Sequence, residues 1–175
     1  MVAPLSVAAQ GSPVAVVDYL ELRRQGVFDS TEAARNRLAR AANSIHILTR
    51  RATIEREVLL RAHRPYDSLL AFETLQNLRN LGIFRRVRVD SIRTDSGLVA
   101  RVTTQDAWST SASLRLRGSG EQTDYQVALD EYNLLGTAAR VGLRYRKTPD
   151  RTMTTLQLVR SRIIAQRIGG ELRFE

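Results

Sequence analysis

The sequence predicts an α+β unit over residues 14–106, built of a strand, helices and a β-hairpin, followed by an antiparallel β-meander over residues 107–175. Three observations predict it. The hydrophobic period changes from helical to two at Gly82. No convincing helix appears after Trp108. Turn residues separate the alternating segments at short, hairpin-like spacing. With 43% hydrophobic and 26% charged residues but only 10 Gly and 4 Pro in 175, the chain holds enough apolar material for a core, and collagen or a wholly disordered chain is excluded.

The elements follow in order. In V-A-V-V-D-Y-L-E-L-R, Val14 to Arg23, Tyr19, Glu21 and Arg23 stand opposite Asp18, Leu20 and Leu22, as in a half-buried strand. Gly26 and Asp29-Ser30 break it. Ser30 or Thr31 then caps a helix with Ala34, Leu38, Ala41 and Ala42 at helical spacing. A second helix fits Ala52 to Ala62, where Ile54, Val58 and either Leu59 or Leu60 form a stripe that Pro65 brings to an end. Asp67-Ser68 caps a third, whose apolar face is Leu69, Leu70, Phe72, Leu75, Leu78 and Leu81, and Gly82 supplies a left-handed stop. Beyond it Ile83, Val87, Val89 and Ile92 alternate with Arg86, Arg88 and Asp90, T-D-S-G at Thr94 to Gly97 forms a turn, and Leu98 to Thr104 returns.

After Trp108 the alternation recurs in Leu114 to Arg117, Tyr125 to Asp130, Val141 to Arg146 and Thr154 to Arg160. Turns are expected at Gly118-Ser119-Gly120, Gly136-Thr137 and Thr148 to Arg151. Apolar residues on one side and Arg, Gln and Gly on the other suit a one-sided soluble sheet or a barrel with an apolar exterior and a polar lumen. Alternation alone leaves both open.

The formal charge is +9, yet the basic residues are spread along the chain, and all but Lys147 are arginine. Solvated arginine-rich faces explain that charge, so no nucleic-acid partner is expected; a DNA-binding protein would show steep salt dependence. Without cysteine there is no disulfide framework and no thiolate chemistry. No run reaches the ~18–20 apolar residues of a membrane-spanning helix, so any membrane role is peripheral or uses strands. Residues 1–13 read as a leader or a disordered N-terminus: Val7-Ala8-Ala9 has signal-peptidase spacing, but a basic start and a full apolar stretch are missing.

An enzyme is not expected, and no cofactor or metal. G-x-S-x-G, G-x-G-x-x-G and a P-loop are all absent, and His46 and His63 are too far apart for a helical ligand pair, so each reads as an ordinary surface or half-buried residue.

The order strand, helices, hairpin, with P-Y-D-S at Pro65 to Ser68 and L-R-N-L-G-I-F-R-R-V-R-V at Leu78 to Val89, resembles a POTRA domain, the periplasmic module that precedes bacterial outer-membrane assembly barrels. T-Q-D-A-W at Thr104 to Trp108 looks like the exit into such a barrel. D-E-Y-N-L-L-G-T at Asp130 to Thr137 resembles the first barrel hairpin of BamA/TamA-type proteins of the bacterial surface antigen class. Ala138 departs from the second glycine frequent in relatives, and the helix at Thr31 to Ala42 is extra to a minimal POTRA. At about 9–11 residues per spanning strand, residues 107–175 hold four or five strands. Known single-chain barrels begin at about 8, and bare strand edges in lipid are costly, so the resemblance implies a fragment.

The resemblance also implies a function: assembly, insertion or translocation of outer-membrane proteins, with the N-terminal domain in the periplasm and the barrel in outer-membrane lipid. Its partners are unfolded outer-membrane clients or other periplasmic assembly proteins, captured when a client strand adds to an exposed sheet edge. Ile83, Arg86, Val87, Arg88, Val89 and Asp90 are the candidate edge, with Val14 to Arg23 as the other choice. Ser111 to Arg117 would form the lateral gate. Asp106, Trp108, Glu131, Asn133, Leu134, Leu135 and Gly136 make the barrel-entry and first-hairpin motif. Trp108 suits a membrane-interface girdle or a plug under the sheet, and Glu131 and Asn133 suit hairpin stabilisation or a lumen. The alternative is a soluble periplasmic POTRA scaffold that enters no membrane.

Overall fold

The structure, a computed structural model, describes residues 15–28, 30–119, 122–160 and 169–174. The expected leader at 1–13, Asp29 and Gly120 lie outside them. Strand β1 is Val17–Gln25, followed by helices α1 (Ser30–Arg35), α2 (Arg37–Ile45), α3 (Arg51–Glu55) and α4 (Ser68–Asn80). Strands β2 (Phe84–Thr94) and β3 (Gly97–Asp106) form the hairpin, and β4 (Thr110–Ser119), β5 (Gln122–Leu134), β6 (Ala139–Lys147), β7 (Thr152–Arg160) and β8 (Gly169–Phe174) complete the chain.

Two sheets result. The first has the order β1-β3-β2, with β1 parallel and β2 antiparallel to β3. Its middle strand is flanked on both sides, so Val99, Ala100, Val102, Thr104 and Gln105 are all buried in a nearly unbroken run. Ile54, Val58, Leu60 and Leu78 are the best-covered apolar side chains contributed to the core from outside the sheet, and each contributes roughly 1.5–3 kcal/mol through burial. The second sheet is an antiparallel meander in the order β4-β5-β6-β7-β8.

Local signals placed α4 and the hairpin well. Asp67 caps α4 by accepting from the Leu69 amide at 2.7 Å. Gly82 ends it at φ 67, and Gly97 closes the Thr94–Gly97 turn at φ 114.

Elsewhere the structure corrects the sequence reading. The helix at Thr31 to Ala42 is two helices, because the Asn36 side chain accepts from the Leu38 amide and restarts the chain as a cap. Its covered residue is Ala39, whereas Ala34, Leu38 and Ala41 are exposed. The helix expected over Ala52 to Ala62 stops at Glu55: the Leu59 amide donates to Thr74 Oγ1 of α4, and after a turn at 56–57 the chain leaves helical geometry while Val58 and Leu60 still reach the core. On α4 the buried face is Ala71, Thr74 and Leu78, and Leu69 and Phe72 point to solvent, because β2 meets the helix along a narrower stripe than its apolar residues occupy.

Candidate functional site

Three features of the chain can do something chemical: a polar junction between the sheets, the two unlike faces of the meander, and the open strand edges.

The junction begins with Asp106, the last residue of β3, which is fully buried. Its Oδ2 accepts from the Thr49 amide at 2.8 Å and the Thr49 hydroxyl at 2.9 Å, and His46 Nε2 lies 2.9 Å away, donating from that nitrogen. Oδ1 has no partner among the described residues. Thr49 Oγ1 in turn accepts from Asn133 Nδ2 at 2.8 Å, and Asn133 Oδ1 accepts from the Ala138 amide across the β5–β6 turn. Asn133 thus pins its own hairpin and ties it to the α+β unit.

The turn docks by its backbone as well. The Gly136 carbonyl accepts from the Arg50 amide at 2.9 Å and from Thr53 Oγ1 at 3.0 Å, while Arg50 Nε donates to the Leu135 carbonyl. Leu135, Gly136 and Ala138 all have positive φ, at 53, 73 and 58. A Cβ on Gly136 would stand 2.6 Å from the Leu48 carbonyl, so glycine is required there by both conformation and space. Thr137 donates from its amide and hydroxyl to Leu134, which is half-buried. Glu131 accepts from Thr110 Oγ1 at 2.7 Å and from the Asn133 amide at 2.8 Å, locking the start of β4 to the end of β5.

Asp106 and Asn133, which the sequence reading set apart in two motifs, therefore meet through Thr49. His46, Thr49, Arg50 and Thr53 were missed as site residues. Their partners are 57 to 86 positions away, and no local pattern marks them. Of the two readings of His46, surface or half-buried, the structure has the second, with the side chain only 6% exposed. Trp108 is 50% exposed, which excludes the plug under the sheet. Among the described residues no group of three or more His, Cys, Asp or Glu is arranged to hold a metal ion.

The meander has two opposite characters. Pairing puts Leu114 beside Val127 and Tyr145, and Leu129 beside Leu143 and Leu156, so one face is apolar across β4 to β7. That face is uncovered: Leu114, Leu116, Val127, Leu129, Leu143 and Leu158 are 45–66% exposed. The other face carries Arg115, Gln126, Asp130, Arg144, Arg146 and Thr155 around a polar concavity of about 590 Å³. A contiguous bare apolar face of this kind marks a surface for contact with protein or lipid. No helix among the described residues is long and apolar enough to cross a membrane. Lys147 is exposed at the end of β6 farthest from the junction.

Among the described residues β1 and β2 are the edges of the first sheet, and β4 is an edge of the second. On β2, Val87 is buried and Val89 half-buried against the core, Arg86 and Arg88 are exposed, and Arg88 lies 3.5 Å from Asp90. Ile83 is buried just before the strand, where its carbonyl accepts from Ala107. The β1 edge is polar: hydrogen bonds from Arg23 and, across the strand pair, Arg101 hold the Glu21 carboxyl below the usual carboxylate range.

No family model and no curated protein matches the chain. Among solved structures it is similar to the crystal structure of BamA from Haemophilus ducreyi lacking POTRA domains 1-3, with a TM-score of 0.60 and 16% sequence identity over 91% of this chain and 26% of that one. The chain spans about a quarter of that protein's length, and what the two share is a fold: a small α+β unit leading into an antiparallel meander of the BamA kind.

Proposed function

We propose that the chain is a non-catalytic working part of an outer-membrane protein assembly, insertion or translocation factor. The observation that carries this reading is the meander's pair of faces: bare leucine and valine on one side, arginine and polar residues on the other, the division a barrel wall between lipid and an aqueous lumen requires. The fold shared with BamA supports it.

In this reading residues 15–106 are a POTRA-type module in the periplasm. An extended client segment adds to the edge at β2, or at β1, where main-chain hydrogen bonds supply affinity with little demand on client sequence. The exposed first strand, β4, is the lateral gate beside the lipid. The junction holds module and wall in one orientation, so a client captured at the edge is delivered to a fixed place on the barrel. The clients are unfolded outer-membrane proteins.

The test is fractionation and depletion in the native cell. Serum raised against residues 15–106 should detect the protein in the outer membrane, and depletion should lower the amount of folded, heat-modifiable barrel proteins. Recovery in the soluble periplasm would refute the membrane role and leave a scaffolding module in its place.

A further inference from the structure

Ile47, Trp108 and Leu135 come from three separate stretches: the α2–α3 connection, the β3–β4 connection and the β5–β6 turn. They nevertheless line one cavity of about 250 Å³, and they are 53%, 50% and 52% exposed. Thr110 and Glu131 line it too. Those two are paired, and steps of two along β4 and β5 lead from them to Ala112 with Leu129 and Leu114 with Val127. The cavity is therefore the continuation, at the junction end, of the meander's apolar face.

Its chemistry is that of a boundary. Trp108 presents a large apolar ring with one N–H donor, the combination enriched where hydrocarbon meets headgroups. Glu131, the carboxylate of the cavity wall, has both oxygens accepting from Thr110 and Asn133, so it is satisfied within the protein. Beside Leu135 stands Arg50, an exposed guanidinium whose Nε is fixed on the Leu135 carbonyl, within reach of an anionic headgroup.

We infer that Ile47, Trp108 and Leu135 form an interfacial anchor for phospholipid, through which the α+β unit itself rests on the membrane surface. The inference builds on the membrane reading given above. It adds that the unit does not hang free below the wall but is held against the leaflet by a residue of its own, Ile47. The occupant is the upper acyl and headgroup region of a phospholipid, because the cavity is continuous with the face assigned to lipid and is flanked by a cation.

Trp108 is the only tryptophan in the chain, so its fluorescence reports the site directly. The native protein that carries this chain, with Trp108 kept as its one tryptophan, is reconstituted into vesicles of phosphatidylethanolamine and phosphatidylglycerol, recovered by flotation, and the measurement repeated with lipids brominated at upper or lower acyl carbons. Expected is stronger quenching by the upper bromines, and loss of much of that quenching in Ile47→Asp with the strand circular dichroism unchanged. Flotation without quenching overturns the anchor and leaves the membrane reading standing. Unaltered quenching in Ile47→Asp overturns the part played by the α+β unit. Failure to float overturns the membrane reading and the anchor with it.

Discussion

Replacing Asp106 with alanine removes the acceptor at the centre of the junction. Three donors, the Thr49 amide, the Thr49 hydroxyl and His46 Nε2, converge on Oδ2 within 2.8–2.9 Å, and Asp106 and Thr49 are both fully buried. A buried donor stripped of its partner costs about 1–3 kcal/mol, which gives about 3 kcal/mol at the low end and more than twice that at the high end. Oδ1 has no partner, so its removal returns some desolvation, and Thr49 Oγ1 keeps the bond from Asn133. A loss of about 3–4 kcal/mol is therefore expected for Asp106→Ala. Asp106→Asn keeps an acceptor in the Oδ2 position and puts its amide nitrogen where Oδ1 already lacks a partner, so it should cost about half as much or less. Denaturant unfolding in lipid or detergent, followed by Trp108 fluorescence two residues away, measures both. An alanine variant within about 1 kcal/mol of the parent would refute the claim that these bonds hold the junction.

Four further outcomes are expected. Ala138→Gly should raise stability by up to about 1 kcal/mol in the same assay, since alanine at φ 58 carries a left-handed penalty that glycine does not. Leu129→Arg on the apolar face should destabilise the inserted state by up to about 2–4 kcal/mol and reduce vesicle flotation, whereas Thr155→Arg on the polar face should leave it unchanged. Amides along an edge strand alternate in direction, so one of Arg88→Pro and Val89→Pro removes an outward amide; that variant should lose capture of an extended client peptide while far-ultraviolet circular dichroism keeps the helices, and undiminished capture by both would exclude β2 as the edge. Glu21 has its folded-state pKa lowered by Arg23 and Arg101, so its contribution to stability is present above its ordinary value of 4.5 and disappears as pH falls through the lower folded value. Unfolding midpoints of Glu21→Gln should lack that part of the acid dependence.

What the sequence disclosed followed the range of the forces. Asp67, Gly82 and the Thr94 to Gly97 turn act within a few residues, so α4 and the hairpin were legible from spacing alone. The alternation in β4 to β7 was legible because a pleated strand repeats every two residues whatever packs against it. The end of α3 was not, because Thr74 takes the Leu59 amide from another element. The exposure of Leu38, Leu69 and Phe72 was not, because periodicity marks an apolar stripe without saying how much of it a neighbour covers. In the junction, Asn133 and Gly136 stood out as hairpin residues, but their partners Thr49, Arg50 and Thr53 carry no mark until the chain has folded.

The position of Lys147 has a practical consequence. Because every other lysine-or-arginine position in residues 1–175 is arginine, lysine-directed chemistry within this stretch reports on Lys147. Lys147 is exposed at the tip of β6, one full strand away from Asn133 and Asp106. A lysine-directed tag that cannot cross membranes therefore becomes a one-point compass for the sheet. Reaction at Lys147 on intact cells sets that tip on the outer surface and the α+β unit on the inner side, and reaction only after the envelope is opened sets the tip within.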